Sequence, residues 1–133
     1  MKTAFLSILV LTVLFTSCAG GDTDKVREYI PGLYARVFKD SLSETTNTVG
    51  IDTLEIKRVT DGGSELYEIE RRMKFQRTVD GELKPEEYKV ENWKGIYDKD
   101  KKIIQETSKG KIISFVPEKN ILLVNTAEYK KLK

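Results

Sequence analysis

The stretch Ser64–Thr78 (SELYEIERRMKFQRT) constrains the fold more than any other part of the chain. Tyr67, Ile69, Arg71, Met73 and Phe75 fall on one parity, and Glu68, Glu70, Arg72, Lys74 and Gln76 on the other. Successive side chains of a strand point to opposite faces, so a run with this period is a strand with one face in water and one in a core. Asp61-Gly62-Gly63 and Asp80-Gly81 bound it, and these residue types accept the positive φ of tight turns. A chain organised around such a strand is a sheet protein built from hairpins.

The rest of the chain extends that reading. Leu33–Phe38 alternates with apolar character on both faces, and Asp52–Thr60 places Leu54 and Ile56 on one face. Lys39–Gly50 has no apolar period and reads as a loop, with a short strand inside it as the alternative. Pro85 makes Glu82–Glu87 a loop or an edge. Tyr88–Tyr97 carries Tyr88 and Val90 on one parity and Trp93 and Tyr97 on the other, so a bulge near Glu91-Asn92 is expected to bring all four to one side. Short strands at Lys102–Thr107, Lys111–Val116 and Ile121–Asn125 lead to Glu128–Leu132, and the basic tail Lys130-Lys131-Leu132-Lys133 reads as a solvated end. Before the sheet, Asp22–Ile30 predicts a short helix. Asp22 or Thr23 caps it, and Val26, Tyr29 and Ile30 share the face that plugs one end of the sheet. The fold class is mainly β, an antiparallel meander of seven or eight strands forming a small barrel or half-barrel with a short N-terminal helix.

The chain begins with a charged Lys2, then a twelve-residue apolar run from Ala4 to Phe15, then small residues before Cys18. This is the pattern of a secretory signal, and the run is short for a membrane span. Phe15-Thr16-Ser17-Cys18 resembles the lipobox of bacterial lipoproteins, with Phe where Leu is usual. The resemblance implies cleavage before Cys18, diacylglycerol on its sulfur and acylation of the new amino terminus. Several acyl chains give stable membrane anchoring where one does not. The expected organisation is a signal peptide over 1–17, a lipidated Cys18 with a short tether over 18–23, and a single barrel-like domain over 24–133.

Composition excludes several functions. The 133 residues hold no histidine and one cysteine, which removes the usual Ser–His and Cys–His chemistry and the commonest metal ligand. Basic and acidic residues, 23 against 21, are interspersed without the basic stripe that nucleic acid requires. No glycine-rich phosphate loop is present. Glu68 and Glu70, about 6.6 Å apart by strand rise, have the spacing of an acid–base pair, but Arg72 and Lys74 continue the same face as an ordinary ion-paired surface. Asp98 and Asp100 supply too few oxygens for calcium. The expectation is a non-enzymatic protein with no cofactor and no metal.

Arg71 stands out. It sits on the apolar face of its strand, and a buried cation is costly unless paired. One reading makes it a head-group contact inside a barrel, with Tyr67, Phe75 and Trp93 lining the ligand. The other makes it a snorkelling arginine at the barrel mouth, or one paired to an internal glutamate.

With the lipobox, the Ile30-Pro31-Gly32-x-Tyr34 segment and the Trp93-Lys94-Gly95-Ile96-Tyr97-Asp98 strand end, the chain is similar to small uncharacterised lipoproteins of Bacteroidota. Asp40-Ser41-Leu42 and Asp52-Thr53-Leu54 resemble the O-glycosylation tripeptide of that phylum. The resemblance implies a lipid-anchored cell-envelope location, the outer membrane in preference to the inner, and no activity. Two functional readings follow: docking of an envelope protein partner or assembly of a complex, and lipocalin-like binding of a small amphiphilic or anionic ligand.

Overall fold

The computed structural model describes residues 24–61 and 64–133. Residues 1–23, with the expected signal segment, Cys18 and its expected tether, and Gly62-Gly63, where a turn is expected, lie outside them. After a helix α1 (Lys25–Tyr29), the strands are β1 (Gly32–Ser41), β2 (Asn47–Asp61), β3 (Ser64–Val79), β4 (Glu82–Leu83), β5 (Glu87–Asp98), β6 (Ile103–Glu106), β7 (Ile112–Val116), β8 (Ile121–Val124) and β9 (Ala127–Lys131). Each barrel strand pairs antiparallel with its neighbours, and the β1–β9 contact closes the ring. The result is an eight-stranded antiparallel barrel, with β4 as an extra strand on the edge of β3.

The interior of the closed part is a packed core. Tyr34, Leu54, Ile56, Tyr67, Ile69, Trp93, Tyr97, Ile104, Ile113 and Leu122 point inward from successive strands. Gly95 keeps a place on this inner face because a Cβ there would lie 2.2 Å from Ile104 Cγ2. α1 plugs one end, with Ile30 buried and Val26 and Tyr29 packed on the core. Its cap is Asp24, whose Oδ1 accepts from Arg27 N at 3.1 Å, rather than Asp22 or Thr23. The Tyr34 hydroxyl donates to the carbonyls of Tyr29 and Ile30, both at 2.9 Å, and so ties plug to barrel.

Three further expectations are corrected. The region 39–50 is mostly strand: β1 runs to Ser41 and β2 starts at Asn47, since Thr and Val at alternate positions pair well across strands. No bulge interrupts β5, which pairs with β3 in unbroken register from Phe75–Glu87 to Leu66–Ile96. Tyr88 and Val90 therefore face outward, 71% and 60% exposed, while Trp93 and Tyr97 face inward. The C-terminal tail exposes Lys130, Leu132 and Lys133 but is not a free end. β9 closes the barrel, and Lys131 Nζ lies 4.2 Å from the centre of the Tyr29 ring and donates to the Tyr29 carbonyl.

Strand lengths differ in a way that shapes the molecule. β1, β2, β3 and β5 have 10, 15, 16 and 12 residues, whereas β6 to β9 have only 4 or 5. β1 meets β9 at Tyr34 and Ala35 and then continues along β2 without it. β5 meets β6 from Gly95 to Asp98, while its earlier half runs along β3 alone. The barrel thus closes around the plugged end and opens, at the other, into a curved trough of the four long strands.

Candidate functional site

The inner wall of this trough is layered by strand register. Tyr34, Leu54, Arg71 and Glu91 lie across from one another at the level where the barrel closes. Arg36, Asp52, Met73 and Lys89 form the next layer, then Phe38, Gly50, Phe75 and Glu87, with Asp40, Thr48 and Arg77 at the rim. Together they bound a cup of about 570 Å3 open to solvent, in the size range of small-molecule pockets. Gly50 makes room in its layer: a Cβ there would come within 2.8 Å of Phe38 Cζ and 2.5 Å of the Lys74 carbonyl oxygen. The two phenylalanines and Met73 give the wall its apolar character, and charge is concentrated in the floor.

Asp52 is the centre of the floor and is fully buried. Arg71 donates to it from Nε (3.0 Å to Oδ1) and Nη2 (2.7 Å to Oδ2), and Tyr129 donates its hydroxyl to Oδ2 at 2.6 Å. Arg71 Nη1 donates to Glu91 Oε2 at 3.3 Å, and Lys89 Nζ lies 3.0 Å from Glu91 Oε1. Hydrogen bonding to Asp52 raises the Arg71 pKa beyond its ordinary value. Burial, then donation to Asp52, raises that of Tyr129. Lys89 first, with Arg71 behind it, holds the Glu91 carboxyl below the usual range. Buried ion pairs persist only when their remaining donors and acceptors are satisfied, and here residues of four strands, β2, β3, β5 and β9, supply them.

Arg36 differs from the other cations. Its guanidinium lies within cation–π range of Phe38 and Tyr129, with ring centres 5.4 and 5.7 Å away. Its Nε approaches Asp52 only to 4.0 Å, beyond hydrogen-bond range, and is buried without a partner among the described residues.

The residues singled out from sequence fall in three places. Arg71 and Phe75 line the cup. Trp93 lies below the floor, with Arg71 over its ring at 5.5 Å and Lys111 Nζ at 3.9 Å. Tyr67 lies deeper, buried in the core edge-on to Tyr97, and takes no part in the cup. The anion that Arg71 grips is internal, chiefly Asp52 rather than the glutamate expected of a paired arginine, with Glu91 second. Asp52, Arg36, Tyr129 and Lys89 were not singled out as site residues, although parity marks two of them: Arg36 sits between Tyr34 and Phe38, and Asp52 is in phase with Leu54 and Ile56. The Thr53 hydroxyl of the glycosylation-like tripeptide donates to the Arg72 carbonyl at 3.2 Å. Glu70 pairs with Arg72, and Asp98 Oδ1 accepts from the Asp100 and Lys101 amides at 2.9 and 3.1 Å, so one carboxylate of each pair has a local partner. No group of metal-ligating side chains occurs among the described residues.

Comparisons with protein-family models, with curated proteins and with solved structures find no match to this chain.

Proposed function

We propose that the protein is a lipid-anchored component of a bacterial cell envelope that binds a small amphiphile in its open cup, without catalysis. The observation that carries this reading is the cup itself: about 570 Å3, open at one end, with an apolar wall over a charged floor. A barrel of eight full-length strands fills with its own side chains. Here four short strands leave the upper wall uncovered, and Gly50 keeps its middle layer thin. The tether from Cys18 reaches the fold at α1, the plugged end, so the anchor sets the mouth away from the membrane. The cup then receives or delivers its occupant on the aqueous side.

A second reading, docking of an envelope protein partner, draws on the outer face of the same four strands. Val37 and Ile51 pair there with Tyr88 two strands away, all exposed, with Lys74 between them. Native mass spectrometry decides between the two. The Asp24–Lys133 domain, which contains every strand and the plug, is exported in its own host without Cys18 and purified without detergent. The cup reading expects a reproducible bound small molecule. A clean apo mass with co-purifying envelope protein overturns it in favour of docking.

A further inference from the structure

Of the four cations that line the cup, three already hold a carboxylate. Arg71 uses Nε, Nη1 and Nη2 on Asp52 and Glu91, Lys89 pairs with Glu91 at 3.0 Å, and Arg77 Nε pairs with Glu87 at 3.3 Å. Arg36 makes no hydrogen bond among the described residues. Asp52 cannot serve it well, because its oxygens are turned to Arg71 and Tyr129 and Arg36 stays 4.0 Å away. The Arg36 side chain is 28% exposed and lines the cup, and its guanidinium carbon lies 5.4 and 5.7 Å from the centres of the Phe38 and Tyr129 rings. A guanidinium whose Nε is buried without an acceptor is unfavourable alone and favourable with an anion, to which its planar fork is matched.

We propose that Arg36, not Arg71, is the head-group contact of the cup, and that the occupant is an amphiphile with a single anionic head group whose tail lies against Phe38, Met73 and Phe75. This rests on the amphiphile-binding reading above. The head group enters at the second layer of the cup, beside Asp52, and its tail points toward the mouth. The Arg71–Asp52–Tyr129 set holds the floor in shape and contributes no free donor. Asp52 also sets specificity. Its buried negative charge lies beside the head-group position, so a head group carrying more than one negative charge is disfavoured there.

The test uses the Asp24–Lys133 domain and three probes of equal chain length: dodecanoate, dodecyl phosphate and dodecanol, with binding measured by titration calorimetry at neutral pH. Dodecanoate is expected to bind at least tenfold more tightly than dodecanol, since a charge-assisted hydrogen bond is made by one and not the other. Dodecyl phosphate, which is largely dianionic at high pH, is expected to lose ground to dodecanoate as pH rises from 6 to 8. Arg36→Met, which keeps the stem beside the rings, is expected to erase the preference for dodecanoate over dodecanol, and Arg72→Met on the outer face to leave it intact. Equal binding of dodecanoate and dodecanol by the unmodified domain, or a preference that survives Arg36→Met, overturns the assignment while leaving the cup a binding site. Binding of none of the probes overturns the amphiphile reading as well. If Arg36→Met does not fold, the Nε–Hε resonance of Arg36 in the unmodified domain decides: it moves with dodecanoate and not with dodecanol, and an unmoved resonance rejects the contact.

Discussion

Removing the Asp52 carboxylate tests the structural account of the cup floor. Asp52→Ala takes away the acceptor of two Arg71 contacts at 3.0 and 2.7 Å and of the Tyr129 hydroxyl at 2.6 Å. Arg71 keeps Glu91 alone, at 3.3 Å and with its side chain 22% exposed. Breaking a buried pair from one side costs roughly 3–5 kcal/mol, because the other charge is left uncompensated. Arg71→Met leaves Asp52 with Tyr129 and the more distant Arg36, and a cost of about 2–4 kcal/mol is expected on the same grounds. The double variant removes both charges and puts an apolar side chain in the floor. It should be more stable than the sum of the two losses implies, by roughly 2 kcal/mol or more of coupling. Urea unfolding followed through Trp93 reads all three variants, since it is the only tryptophan and Arg71 stacks on its ring. Additivity to within about 0.5 kcal/mol would refute the claim that Asp52 and Arg71 act as one unit.

Two further outcomes follow from local geometry and a third from the proposed anchor. Glu106 is buried, and although burial by itself raises its pKa, the Ser108 and Lys109 donors outweigh this and hold the carboxyl at about 2. Its contribution is therefore complete above the ordinary value of 4.5 and lost as pH falls from there through about 2, and Glu106→Gln should flatten that part of the stability–pH curve at a cost of about 1–2 kcal/mol at neutral pH. Tyr34→Phe leaves the Ile30 carbonyl without its side-chain donor and the Tyr29 carbonyl with Lys131 alone, so hydrogen exchange should quicken at the α1 amides of Glu28 and Ile30 while β2 and β3 stay protected. The proposed anchor predicts that Cys18→Ser moves the protein from the membrane to the soluble fraction of the envelope; a variant that stays with the membrane argues against the anchor.

The parts of the fold legible in the sequence were those where one face is uniformly wet. Ser64–Thr78 was read almost to the residue because Glu, Arg and Lys alternate strictly with Tyr, Ile, Met and Phe. β9 was illegible for the opposite reason: Ala127, Tyr129 and Lys131 share a face with only one large apolar side chain, and closure depends on β1, distant in sequence. The supposed bulge in β5 came from assuming that every aromatic belongs inside, whereas Tyr88 stands on the outer face with Lys74 over its ring at 5.8 Å. The cup shows the same limit. Arg71 could be found because it broke an apolar row. Its partner Asp52 lay at the start of a strand whose true beginning, Asn47, fell within residues read as loop, so the carboxylate was never placed on an inner face. The register between β1, β2 and β3 turned isolated charges into a site, and register is set by the whole barrel.

The most direct measurement of the central claim uses the cup's own methionine. Apart from Met1, Met73 is the only methionine in the chain, and its side chain lines the cup. In the Asp24–Lys133 domain labelled at the methionine methyl, titration with dodecanoate should shift the Met73 resonance saturably, at one probe per protein. A Met73 methyl that stays in place while dodecanoate is present in excess contradicts an amphiphile-binding cup.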